Sequence, residues 1–369
     1  MCEDFSCSNQ VSPPMILSLG KRTTQESVEK VVRRLLENGL ESQVVVSGDI
    51  TLVVVTSDAE AIAGHFFSQL EGVEKVVKLT NRTPLAADSC AVVNIGKIDG
   101  PRGRLSIGGG QPVVIAGPCS VESKEHIFQT AEAVRNAGAK AVRGGAYKPR
   151  TSPYDFQGLG LDGLKFMAEA GEKFKLPVIS EVMAIEHIAS AEPYVDMFQV
   201  GARNMYNYEL LKELGRQSKP VLLKRAMSAT IDELLQSAEY ILASGNLQVV
   251  LCERGIRTFE TRVRNTLDLS AVAVLKSLTN LPVLVDPSHA TGKRDYVRAL
   301  SRAAIACGAD GLVIESHCQP DKSVSDAAQA ITPDTLKQIV LDTAAIYQAL
   351  NLRDQDKPVV SSCEPVVLR

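Results

Sequence analysis

A (β/α)8 barrel preceded by a small βαββαβ sandwich is the fold the sequence predicts, on three observations. Eight short apolar runs recur at intervals of roughly 20–35 residues from 113 to 316. Amphipathic helical stretches separate them, clearest in "SKEHIFQTAEAVRNAGA" and "RDYVRALSRAAIACGA". Before them, residues 15–80 carry a strand–helix–strand–strand–helix–strand rhythm. At 369 residues the chain has room for one large domain and one small one.

Residues 1–14 read as a polar lead. "MILSLG" is a strand, and "TQESVEKVVRRLLENG" has helical spacing with Gly39 as its stop. "SQVVVSGDITLVVVTS" is two strands joined at Gly48–Asp49. "DAEAIAGHFFSQLEG" is a second helix with Asp58 at its N-cap, and "VEKVVKL" closes the unit. That order is the ferredoxin-like one. With no convergent reactive side chains, residues 15–80 suit a regulatory or interface role. Residues 81–111 are a joint, with "NIGKIDGPRGRLSIGGG" a short hairpin and glycine hinge. The barrel follows over 112–350, and 351–369 form a tail. Its strands are expected at 113–117, 139–145, 177–182, 197–202, 220–225, 248–255, 282–288 and 311–316. An open doubly wound sheet is the alternative, but no dinucleotide glycine fingerprint follows the first strand.

Net charge is −3 and hydrophobic content 45%, so no overall positive field calls for nucleic acid or a membrane surface. No apolar run is long enough to span a bilayer, and the N-terminus lacks the layout of a signal peptide. Eight cysteines without paired spacing argue against a disulfide framework and for a reduced, cytoplasmic setting.

Catalytic groups of a barrel gather at the C-terminal ends of its strands. The residues there are Cys119, Arg143, Glu181, Arg203, Lys224, Glu253 with Arg254, Asp286 with His289, and Glu315. Arg143, Lys148, Arg150, Arg203, Lys224 and Arg254 would ring one mouth with positive charge. Glu181 and Glu253 cannot offset six cations, so the mouth is expected to take anions of phosphate size. Cys119, His289, Glu315 and Asp326 are all metal-ligand types, yet no local spacing joins them. A buried apolar role for Cys119 and a surface role for Asp326 stay open on the residues alone. If they do share an ion, the mixed soft and hard donors suit Mn, Fe, Co or Zn. His317, two residues beyond Glu315, is a candidate for steadying a ligand, whereas His65, His126 and His187 read as ordinary helix histidines.

Seven segments, "AGPCSVES", "RGGAYKPRTSPYDFQGLG", "VGARNM", "LLKR", "CERGIRTFE", "VDPSHATGKRD" and "IESHCQPDKSVSD", together resemble 3-deoxy-D-arabino-heptulosonate 7-phosphate (DAHP) synthase. The likeness is to the type I beta branch, which carries an N-terminal ferredoxin-like regulatory domain, and it covers about residues 15–350. The resemblance implies condensation of phosphoenolpyruvate (PEP) with erythrose 4-phosphate. It implies Arg143, Lys148, Arg203, Lys224 and Arg254 for PEP, and Arg150, Thr151 and Ser152 for erythrose 4-phosphate. It makes Cys119, His289, Glu315 and Asp326 the ligands of one divalent metal, and leaves Glu181, Lys148, His289 or a metal-bound water to handle the water proton. It further implies feedback inhibition by tyrosine or phenylalanine and a homotetramer. The sister 3-deoxy-D-manno-octulosonate 8-phosphate synthase typically reads "KANRSS" where this chain has "KPRTS". An amino-acid sensor with an inactive barrel is the remaining alternative. Cys318 stands where relatives often have proline, which raises an oxidised Cys119–Cys318 pair as a further expectation.

Overall fold

The computed structural model describes residues 15–19, 23–47, 50–55, 62, 64–78, 82–148, 152 and 154–351. The expected turn at Gly48–Asp49, the N-cap at Asp58, Arg150, Thr151 and the tails 1–14 and 352–369 lie outside the described residues. The chain divides into two compact units at Pro84/Leu85.

The first unit holds β1 (Met15–Leu19), β2 (Ser42–Ser47), β3 (Ile50–Val55) and β4 (Val73–Lys78). They form one antiparallel sheet in the order β2-β3-β1-β4. β1 is therefore interior, and its alternation puts Met15, Leu17 and Leu19 on the buried face. The helix Gln25–Glu37 starts where the Thr24 hydroxyl accepts from Ser27 N–H, and it lays Val31 and Leu35 on that face. Phe67 and Leu70, in and just after the helix Gly64–Ser68, complete the small core. Leu17 is fully buried in it, so truncation to alanine would cost about 2–5 kcal/mol.

The second unit begins with a hairpin, β5 (Val93–Gly96) and β6 (Arg104–Ile107). Eight parallel strands follow: β7 (Val113–Gly117), β8 (Ala141–Arg143), β9 (Val178–Glu181), β10 (Met197–Val200), β11 (Val221–Lys224), β12 (Val249–Glu253), β13 (Val283–Val285) and β14 (Gly311–Glu315). Each pairs with its sequence neighbours, and β14 closes on β7 in the register Gly311↔Val113 to Glu315↔Gly117. This is the predicted barrel, with strands where the apolar runs placed them.

Both faces of the strands are buried, which is why the runs read as continuous apolar stretches. Alternate residues nonetheless part company. Val114, Val142, Phe198, Leu223 and Leu251 pack outward against the helices. Ile115, Ala141, Ile179, Met197, Leu222, Cys252, Leu284 and Val313 fill the interior. Burial pushes the Cys252 thiol up to about 12, and it serves as a small apolar filler. Val93, Ile95, Leu105 and Ile107 of the hairpin belong to the same interior cluster, so β5 and β6 plug the N-terminal end. Two residues further along, the inward positions turn polar in seven of the eight strands, Gly117 of β7 being the exception.

The helices outside follow ordinary amphipathic rules. Lys124–Asn136 buries Ile127, Thr130, Ala131 and Val134, with Ser123 as its N-cap. Ile231–Ala243 opens with a capping box between Thr230 and Glu233. Among the described residues, no helix is long and apolar enough to cross a membrane.

Candidate active site

The polar layer at the C-terminal end opens into a cavity of about 490 Å³. Arg143, Lys148, Arg203, Lys224 and Arg254 line it, as the strand ends led one to expect. Arg257 and Arg264, from the loop after β12, line it too and were not foreseen. Among the described residues, the wall sets three carboxylates, Asp155, Glu181 and Asp326, against these seven cations.

Glu253 is not among them. Side chains alternate along β12, so Glu253 and Arg254 cannot both face inward. Glu253 turns outward, fully buried, and accepts from Arg225 Nη1 at 2.9 Å and from Gly255 N–H at 2.6 Å. Arg225 also bonds Asp268 at 2.9 Å, making a buried ion pair behind the wall.

The inward charges are held by one another. Lys224 Nζ donates to Asp286 Oδ2 at 2.5 Å. Asp286 is wholly buried and caps the short helix Pro287–Thr291, accepting from His289 N–H and Nδ1. Burial alone would push the Asp286 carboxyl up, but His289 and Lys224 outweigh it and hold it well below the ordinary carboxylate range. Because a carboxylate only accepts, the contact with Asp286 uses the His289 Nδ1 proton, and Nε2, 3.2 Å from Glu315 Oε1, is the ring nitrogen turned towards the other candidate ligands. Glu315 accepts from Arg143 Nη1 at 3.0 Å, and its carboxyl is held down to about 2 by His289, Arg143 and Lys148 against the upward push of burial. The Arg143 Nε is buried and bonds no group among the described residues.

Cys119 follows β7 in the "GPC" turn. Its sulfur lies 3.2 Å from Asp326 Oδ2, 3.2 Å from Ser325 Oγ and 3.0 Å from Lys148 Nζ. A Cβ on Gly145 would stand 2.7 Å from Lys148 Cδ and 2.8 Å from the Cys119 carbonyl, so only glycine lets the lysine lie across this turn. Cys119, Glu315 and Asp326 present ligand atoms within 4.8 Å of one another, and His289 Nε2 adjoins Glu315. Burial, with Glu315 next, pushes the Cys119 thiol up to about 12, so an ion taken up here would displace its proton. A thiolate, a neutral imidazole with its far nitrogen fixed by a carboxylate, and two carboxylates are a donor set that fits a divalent transition metal.

A second group, Glu122, His126 and His317, is equally compact. His317 is buried and stacks on His126 with ring centroids 4.3 Å apart. Its Nδ1 accepts from Gln319 N–H at 2.8 Å, which puts the proton on Nε2 and removes the lone pair a metal would need. The tautomer thus separates the two groups. Glu122 holds Ser323 and the Val324 N–H instead, tethering the loop that carries Asp326. The Cys318 sulfur lies 3.9 Å from the Thr130 hydroxyl.

Glu181 lines the cavity, accepting from Gln199 Nε2 at 3.0 Å, with Gly201 directly against it. Ser152 accepts from Tyr154 N–H within its own turn and is not part of the cavity wall.

The family model described as "DAHP synthetase I family" matches residues 82–349, the hairpin and the whole barrel. The chain belongs to the DAHP synthetase I family. It is accordingly an enzyme of the DAHP synthase type. It is 41% identical over 343 residues to the phospho-2-dehydro-3-deoxyheptonate aldolase of Thermotoga maritima, spanning 92% of this chain and 99% of that one. A crystal structure of the DAHP synthase from Thermotoga maritima superposes with a TM-score of 0.71 at 40% identity, over 92% of this chain and 98% of that chain. A truncated form of the Thermotoga enzyme gives 0.62 at 45% identity, covering 67% of this chain and 90% of that one. The 2-dehydro-3-deoxyphosphooctonate aldolase of Syntrophotalea carbinolica is 29% identical over 261 residues, 66% of this chain and 93% of that protein. The likeness to the DAHP synthase thus takes in both units, whereas that to the octonate enzyme spans a barrel's length.

Proposed function

We propose that the chain condenses PEP with erythrose 4-phosphate and water to give DAHP and phosphate. The observation that carries this reading is the meeting, at one barrel mouth, of a Cys–His–Glu–Asp group with seven cations. Two phosphates and a carboxylate brought side by side repel one another unless positive charge is already in place. Arg143, Lys148, Arg203, Lys224 and Arg254 are assigned to PEP, and the unmet Arg143 Nε supports that assignment. Arg150, Thr151 and Ser152 are assigned to erythrose 4-phosphate.

Cys119, His289, Glu315 and Asp326 would hold one divalent ion of Mn, Fe, Co or Zn, which when bound supplies Lewis acidity to the aldehyde oxygen. PEP, held by its anionic groups, presents C3 to the aldehyde carbon. As the new C–C bond forms, C2 becomes electron-poor and water adds there. Glu181 is the strand-end carboxylate of the cavity without a cation hydrogen-bonded to it among the described residues, which suits it to take the water proton. The resulting hemiketal phosphate expels inorganic phosphate through C–O cleavage, and Lys148, which lines the cavity, is assigned a place between the two substrates. The first unit is assigned to feedback control by tyrosine or phenylalanine in a cytoplasmic homotetramer.

PEP consumption is the test, with erythrose 4-phosphate or arabinose 5-phosphate, before and after EDTA. The expected result is turnover with the tetrose alone, abolished by chelation and restored by Mn²⁺. Turnover with the pentose would overturn the substrate, and activity surviving metal removal would overturn the four-ligand centre. Deleting residues 1–80 is expected to abolish aromatic amino-acid sensitivity; unchanged sensitivity would overturn the regulatory role.

A further inference from the structure

The two carboxylates of the proposed metal centre come from different places, Glu315 from the end of β14 and Asp326 from the loop beyond it. A single chain of hydrogen bonds joins them. Gln329, 2% exposed, donates from Nε2 to Glu315 Oε2 at 2.7 Å. Its Oε1 accepts from Arg264 Nη1 at 3.2 Å, and the same Nη1 donates to Asp326 Oδ1 at 3.2 Å. The direction of the amide is forced, because a carboxylate only accepts and a guanidinium only donates.

The bridge uses the outer oxygen of each ligand. Glu315 keeps Oε1 towards His289 Nε2, and Asp326 keeps Oδ2 towards the Cys119 sulfur. Asp326 also sits at φ +53°, a left-handed conformation that an aspartate tolerates at some cost. The Gln329 N–H pins that turn by donating to the Asp326 carbonyl at 3.1 Å. The Arg264 stem is seated as well: a Cβ on Gly292 would come within 2.9 Å of its Cβ.

We propose that Gln329 and Arg264 are positioning residues that set the orientation of both metal-binding carboxylates. The proposal rests on the metal centre assigned above. Gln329 is suited to the task because it is neutral: it ties two anions together through one arginine without adding a third negative charge. Such outer partners typically govern metal affinity by about 10–100-fold.

Co²⁺ alone is the probe, titrated into metal-stripped full-length protein and followed by thiolate-to-cobalt absorption and by competition with a chromogenic chelator. Gln329→Leu is expected to weaken Co²⁺ binding about 10–100-fold and to shift the absorption band, and Arg264→Leu to do the same. Because both substitutions cut one bridge, the double variant should bind no more weakly than the worse single one. Arg264→Lys, which restores one donor, should recover part of the loss. Wild-type affinity in Gln329→Leu, or losses that simply add, would overturn the proposal. Should Gln329→Leu fail to fold by circular dichroism, Arg264→Leu decides, since that side chain is 42% exposed. A wild-type protein that binds no Co²⁺ would sink the centre itself, a result distinct from an intact centre indifferent to Gln329.

Discussion

Gly201 is where the proposed role of Glu181 can be tested with a single methyl group. Its backbone, φ −68° and ψ 155°, is one that alanine adopts freely, so the substitution strains nothing locally. Its new Cβ, however, would stand 2.1 Å from Glu181 Oε1 and 2.7 Å from Cδ. Contacts under 3.0 Å are essentially never made by real Cβ atoms, so the carboxylate must retreat by about 1 Å. That retreat gives up the hydrogen bond from Gln199, a loss of about 0.5–1.5 kcal/mol in stability. Catalysis should suffer more, because a displacement of about 1 Å in a reacting group can cost about 100-fold, or ~2.7 kcal/mol of barrier. The assay is kcat and KM from PEP disappearance, with Tm measured alongside. Gly201→Ala should lose most of its kcat, keep its KM for PEP, and melt within a few degrees of wild type. Glu181→Gln should fall as far, and the double variant no further. An alanine variant turning over within about twofold of wild type would refute the assignment of Glu181.

Three further outcomes are expected. Arg225→Met leaves Glu253 buried without its cation and should cost about 3–5 kcal/mol by urea unfolding, and a loss below ~1 kcal/mol would show the pair to be dispensable. His126 is held below its ordinary value of 6.5, first by burial and then by His317, so the unfolded chain binds a proton there that the native state refuses. Stability from this group is present above 6.5 and lost as pH falls below it; His126→Phe should blunt that loss, and parallel curves of Tm against pH would contradict the cause. PEP should raise Tm, by about 2.7 kcal/mol of added stability at a hundredfold excess over its Kd, and less in Arg203→Ala; an equal rise in both would remove Arg203 from the anion site.

The eight strands and their charged ends were legible because parallel strands buried on both faces leave a continuous apolar signature that stops where the polar layer begins. Glu253 was misplaced because adjacent charges were read without parity; counting in twos from Val250 and Cys252 assigns the inward face to Arg254. Arg257 and Arg264 lie in a loop without periodicity, and nothing local says which way they turn. Even so, "CERGIRTFE" put Arg257 three residues past a strand-end arginine, a signal that could have been followed. Gln329 carries no charge and adjoins no strand, so its meaning exists only once β14 and the following loop are folded together. In the small unit, the central position of β1 depends on pairing with β3 and β4, contacts remote in sequence that propensity cannot express.

The hairpin that plugs the barrel has a consequence for traffic. A tube stoppered at its base is a cup, and everything that enters must leave by the same rim. Arg143 and Lys224 lie at the bottom of the cup, 4% exposed each. On the proposed reaction, the anion they hold would arrive before the second substrate settles above it and would not depart while that substrate stays. An order of addition and release would then follow from a packed interior with one open end, to which the two short strands add the base.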